Sequence, residues 1–222
     1  MHVSASSKVR HLIASILLGL LAVGAQARAA ATSHALDFDT HAAFFSSETK
    51  QKKTLDPQVF VKEPSAAAAV GPQGIKHVAG LRTAFVSDSA NLSIFNAEGQ
   101  PLNMSLGQWL GAKGQVILSP MPDGKERVTA AFSGLKPDSH YSLFKNHFDH
   151  QPIGFTPLDG NGTENSFVAD KNGRGVAAVI VPSLLTHDNA VLVVYHSDSK
   201  THGKSRGDIG VNAHHQLITC PE

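Results

Sequence analysis

The chain is poor in the residues that announce a particular chemistry. It has one cysteine, Cys220, followed only by Pro221 and Glu222. That excludes an internal disulfide framework and the paired-thiol zinc and redox motifs, and leaves a Cys220-linked dimer as the one disulfide open to the protein. A blue-copper site is excluded as well, because it needs His and usually Met close behind its Cys ligand. Three Met leave no material for Met-rich copper handling. There is no G-x-S-x-G elbow for a nucleophilic serine and no H-E-x-x-H zinc spacing. Charge is scarce too, and removing residues 1–27 leaves 17 basic against 18 acidic side chains. That balance gives no electrostatic footing for nucleic acid or an anionic membrane.

Long apolar runs are absent after the first, Leu12–Ala25, which lies behind Lys8 and Arg10. Ala25-Gln26-Ala27 and Ala27-Arg28-Ala29 supply small-x-small cleavage patterns. Residues 1–27 therefore read as a signal peptide, too short for a comfortable membrane span. The expected mature protein begins at Arg28 or Ala30 and is exported, periplasmic or extracellular, with no integral membrane segment.

Residues 28–80 alternate Ala-rich patches, the basic stretch Lys50–Lys53, and Pro57, Pro64 and Pro72 without a sustained period. The reading is an extended arm or linker, with one short amphipathic helix within His34–Ser46. From Leu81 onward the pattern changes to short strands between Gly, Pro, Asn and Asp. Strands are expected over Arg82–Val86, Asn91–Asn96, Leu102–Leu110, Gln115–Ser119, Glu126–Phe132, His140–Asn146, Ala190–Tyr195 and His214–Thr219. Asn165–Asp170 and Gly175–Val181 flank Asn172-Gly173, which predicts a hairpin. Ala190–Tyr195 is apolar throughout, as a strand buried on both faces would be. The fold class expected for residues 81–222 is all-β, a Greek-key β-sandwich.

The segment Leu135-Lys136-Pro137-Asp138-Ser139-His140-Tyr141 resembles the tyrosine corner of fibronectin type III domains. The resemblance implies a buried Tyr141 whose hydroxyl bonds back to nearby backbone. Gly134-Leu135-Lys136-Pro137 with His140 also resembles a segment of the copper–zinc superoxide dismutases, which are Greek-key β-proteins. That family places two His ligands on the next strand, where this chain has Leu143 and Lys145, so the likeness extends to fold alone.

Thirteen His is the unusual count. His196 ends the apolar strand and leads into the Gly-bearing loop Ser197–Gly210, which carries His202. His214 and His215 open the next strand, and their side chains face opposite sides, so only one of them can join a given site. The candidate metal set is His196, His202 and one of His214 and His215, with Asp198, and with His147 or His150 from a neighbouring loop; zinc or copper would be the ion. Asp159–Asn165 alternates oxygen-bearing side chains, yet has Glu164 where a calcium loop needs Gly and Asp170 where it usually has Glu. Three functions remain open, of which two are an exported non-catalytic module binding a ligand, glycan or protein, and a zinc- or copper-binding exported protein, with or without enzymatic activity. A third is an envelope-associated domain tethered by residues 28–80.

Overall fold

A computed structural model describes residues 32–221, which belong to one compact unit; the expected signal peptide lies outside the described residues. The chain starts with strands β1 (His34–Asp37) and β2 (Asp39–Thr40), helix α1 (His41–Glu48) and strand β3 (Leu55–Lys62). Then come β4 (Ala69–Val70), β5 (Lys76–His77), β6 (Leu81–Phe85), β7 (Ser93–Phe95), β8 (Pro101–Ser105) and helix α2 (Leu106–Leu110). The remaining strands are β9 (Lys113–Pro120), β10 (Glu126–Ser133), β11 (His140–His147), β12 (Gly154–Pro157), β13 (Ser166–Val168), β14 (Gly175–Val181), β15 (Asn189–His196) and β16 (Ala213–Thr219). The fold is all-β and sandwich-like. Among the described residues no helix is long and apolar enough to cross a membrane.

Two sheets build the main core. One has the order β1-β9-β10-β14 and the other β12-β11-β15-β16-β2, with β13 also paired to β11. The first sheet has one face in water, so its strands alternate. Val128, Ala130 and Phe132 of β10 are buried, whereas Arg127, Thr129 and Ala131 are exposed. β15 does not alternate because both of its faces are covered. Val191, Val193 and Tyr195 join the main core, whereas Ala190, Leu192 and Val194 join a second cluster with Phe44 and Phe148. The apolar run is thus a product of double coverage.

Residues 32–80 are not an extended arm. β1 pairs with β9 over His34–Asp37, and β2 pairs with β16. β3 lies inside a third sheet, β6-β3-β7-β8, and places Val59 and Val61 in the main core. Periodicity missed β3 for a physical reason. Its register against β6 shifts between Asp56 and Phe60, around Pro57, and seven of its eight residues are buried. The helix expected within His34–Ser46 covers only its second half, capped by the Thr40 hydroxyl, which accepts from Ala43 N. Leu102–Leu110 is likewise half strand and half helix. Ser105 and Gln108 form a reciprocal capping box that starts α2.

The Asn172-Gly173 turn forms, with Gly173 at φ 70°, but its flanking strands are not a hairpin. β13 pairs with β11 and β14 with β10, so the chain crosses between sheets at this turn. Phe167 of β13 explains the parting. Its ring fills the space beside Gly175 and stacks on Phe132, centroids 5.2 Å apart, and on Tyr141 at 5.4 Å.

Tyr141 behaves as its corner motif implies. It is buried, and its hydroxyl accepts the Lys136 N–H at 2.9 Å. Burial pushes the phenol above its ordinary range, so it stays protonated. Tyr141→Phe should cost about 1 kcal/mol, with a matching loss of folding stability in urea. An unchanged midpoint would show that water replaces the bond.

Candidate functional site

The six histidines of the expected metal set fall into four places. β15 carries His196 on the face of Leu192 and Val194, directly opposite His140 of β11. Its Nε2 lies 2.6 Å from the Ser142 hydroxyl, and both residues are sealed from solvent. The His202 ring stacks on His196, centroids 4.7 Å apart, and His202 Nε2 bonds Asp198 at 2.8 Å. His140 Nδ1 meets the Thr201 hydroxyl at 3.2 Å, tying the same loop to β11. The structure therefore does bring His196, His202 and Asp198 together.

His214 and His215 point to opposite faces of β16, as strand alternation requires. His214 sits between Tyr195 and Trp109, with Nδ1 3.2 Å from the Gln58 carbonyl. His215 faces the other way. Its Nε2 accepts from Arg206 at 3.0 Å, which leaves Nδ1 as the donor toward His41 Nε2 at 3.4 Å. The Arg206 guanidinium in turn lies 3.2 Å over the Phe155 ring. His147, at the end of β11, stacks on His150 of the following loop at 5.4 Å and also bonds Thr156 of β12. Among the described residues no three His, Cys, Asp or Glu side chains are placed to hold a metal ion together.

Burial sets the charge of four of these imidazoles. Burial pushes His196 and His41 down to about 3 and His214 to about 4, and holds His215 well below its ordinary value. All four are neutral at physiological pH. No carboxylate orients the His196 ring against Ser142, and its Nδ1 is buried without a partner among the described residues. His196, His41 and His215 instead anchor the Ser197–Gly210 loop and α1 against the outer face of the second sheet, whereas His214 packs on the inner face beside Trp109 and Tyr195.

Two other expectations resolve locally. Asp159 accepts backbone N–H groups from Asn161, Gly162, Thr163 and Glu164, so its oxygens close a loop. The Cys220 thiol is half-buried, and burial pushes it up to about 11. It is a poor nucleophile there.

A different feature has open space beside it. A cavity of about 330 Å³ lies between α2 and the tyrosine corner, lined by Asn103, Met104, Gln108, Leu135, Lys136 and Pro137 among others. Its walls come close because Gly134 takes φ 70° and a Cβ there would meet the Gly111 carbonyl at 2.8 Å. Lys136 Nζ donates to the Leu102 carbonyl at 2.8 Å and to the Tyr195 hydroxyl at 3.0 Å. No carboxylate pairs with it among the described residues, and burial holds the ammonium below its ordinary value. Two of its three donors are used. Asn103 beside it is a non-glycine residue at φ 55°, a conformation with a local energy cost. The sequence pointed to Lys136 only as part of the corner motif; its unpaired charge depends on what folds around it.

No protein-family model matches the chain, and no curated protein matches it.

Proposed function

We propose that this protein is an exported, non-catalytic β-sandwich binding module of Greek-key type, which takes an anionic ligand in the cavity beside Lys136. One observation carries the reading: Lys136, a half-buried lysine whose ammonium has no carboxylate partner among the described residues, lines the cavity. A ligand carboxylate entering there would meet the third N–H of Lys136, with the Asn103 amide nearby and Met104, Leu135 and Pro137 for an apolar body. Burial of the His41, His196, His214 and His215 rings supports the non-catalytic half of the reading, since it keeps those four imidazoles from a substrate in solvent.

Benzoate is a suitable test ligand, and for so small a molecule a dissociation constant of about 1 mM is the expected scale. Calorimetric titration of the mature protein should show benzoate binding that Lys136→Met weakens at least about tenfold, the loss of one charge-assisted contact. Benzyl alcohol should bind about as weakly to the native protein as benzoate does to the variant. Equal benzoate binding by both proteins would overturn the reading.

A second reading, zinc or copper held by His196, His202 and Asp198, is favoured by the buried, partnerless Nδ1 of His196. It requires the two stacked rings to separate. Metal analysis of untagged protein, with His196→Ala as control, tests it.

A further inference from the structure

At the far end of β10 from Lys136, the alternation that builds the core breaks its own rule. Val128, Ala130 and Phe132 face inward, and the residue in phase with them at the start of the strand is Glu126. It is only 3% exposed, on a row otherwise made of hydrocarbon. Glu126 Oε2 accepts the Leu185 N–H at 2.9 Å, and Oε1 has no hydrogen-bond partner among the described residues. No Lys or Arg pairs with the carboxylate there either. A largely buried carboxylate with one oxygen free of protein donors favours a cationic partner at that oxygen.

Beside it lies a cavity of about 410 Å³, whose apolar wall includes Leu36, Leu118, Leu184 and Leu185. Leu184 is 45% exposed at its edge, large for a leucine in a well-packed fold. The cavity therefore combines largely hydrocarbon walls with one carboxylate and the His34 imidazole, whose proximity favours the charged form of Glu126, and no Lys or Arg lines it among the described residues.

We propose that this cavity binds a primary ammonium compound with a short apolar chain, its ammonium paired with Glu126 and its chain against Leu36, Leu118 and Leu184. An ammonium supplies the missing counter-charge and three donors, of which Oε1 accepts one. The chain displaces water from leucine surface. Burial raises the Glu126 carboxyl above its ordinary value, the expected state of a carboxylate awaiting a cation. A neutral alcohol of the same length gains the apolar contact and lacks the charge; a carboxylate of that length is repelled. The site is independent of the Lys136 cavity, so either assignment can fail without the other.

The test uses the mature protein and n-pentylamine, with 1-pentanol and pentanoate as comparators, followed by calorimetry or amide chemical shifts near pH 7. The expected result is pentylammonium binding at least about tenfold tighter than pentanol, and no pentanoate binding. Glu126→Gln keeps an oxygen for the Leu185 N–H, so the variant should fold and lose the preference for the amine over the alcohol. Leu184→Lys, at a partly exposed position, should block the amine by placing a competing ammonium at the cavity edge. Equal affinities for amine and alcohol in the native protein would overturn the proposal whatever the variants do. So would amine binding unchanged by Glu126→Gln, which would leave Glu126 as a cap for the Leu185 N–H alone.

Discussion

Acidification from about pH 6.5 to pH 5 should strip several kcal/mol from the folded protein, a large share of what a domain of this size has. The cause is four buried histidines, His41, His196, His214 and His215, each held neutral well below its ordinary value. In the unfolded chain each takes up a proton near pH 6.5; in the folded protein His41, His196 and His214 do so only near pH 3 to 4, and His215 well below its ordinary value. Between those limits the unfolded state binds more protons, so stability falls as pH falls, by about 1.4 kcal/mol per pH unit per histidine. Asp56 works the other way. Burial raises it to about 6, so its contribution is full below its unfolded value and is lost as pH rises through about 6. One raised carboxyl does not offset four lowered imidazoles. Thermal unfolding should show a midpoint about 10 °C or more lower at pH 5 than at pH 7. A midpoint flat across that range would mean that these rings are hydrated or protonated in the native state. His196→Leu and His214→Leu should each flatten the profile by removing one titrating group.

Removing residues 1–80 should abolish cooperative folding. The deletion takes away β1 from one edge of the first sheet and β3 from within the third. Val59 and Val61 leave the main core, each worth about 1.5–3 kcal/mol of burial. Polar anchors go with them. Asp56 Oδ2 accepts the Trp109 indole N–H at 2.7 Å, and Gln58 Oε1 accepts the His215 N–H at 2.6 Å. Without these acceptors both donors remain buried and unpaired, at about 1–3 kcal/mol each. The expected outcome for a chain starting at Leu81 is aggregation or a broad, non-cooperative melt. A sharp transition near that of the mature protein would show that the sandwich stands alone and that residues 32–80 are an accessory.

Most strands from Leu81 onward, though not β12 at Gly154–Pro157, were legible because one-sided sheets write their geometry as alternation, as β10 does, and doubly covered ones as unbroken apolar runs, as β15 does. The tyrosine corner was legible because its hydrogen bond spans five residues. β3 was not, since Pro57 and a register shift hide a strand buried on both faces. The capping box at Ser105 and Gln108 is a local signal that periodicity alone overlooks. For the histidines, alternation correctly separated His214 from His215, but the burial of His196 against Ser142 depends on tertiary coverage by the 197–212 loop. His41, part of the same buried layer, lies 174 residues from His215 and had no local mark at all. Lys136 and Glu126 share that difficulty: an unpaired charge is a statement about absent neighbours, which only the fold supplies.

The central claim, that ligand binding belongs to the Lys136 cavity and not to the histidine groups, is most directly tested by a map of amide chemical-shift changes as benzoate is added to the mature protein. Changes should concentrate at Asn103, Met104, Gly111, Gly134 and Lys136, saturate together, and disappear in Lys136→Met. Changes centred on His196, His202 and the Ser197–Gly210 loop, or none at Lys136 at saturating benzoate, would contradict it.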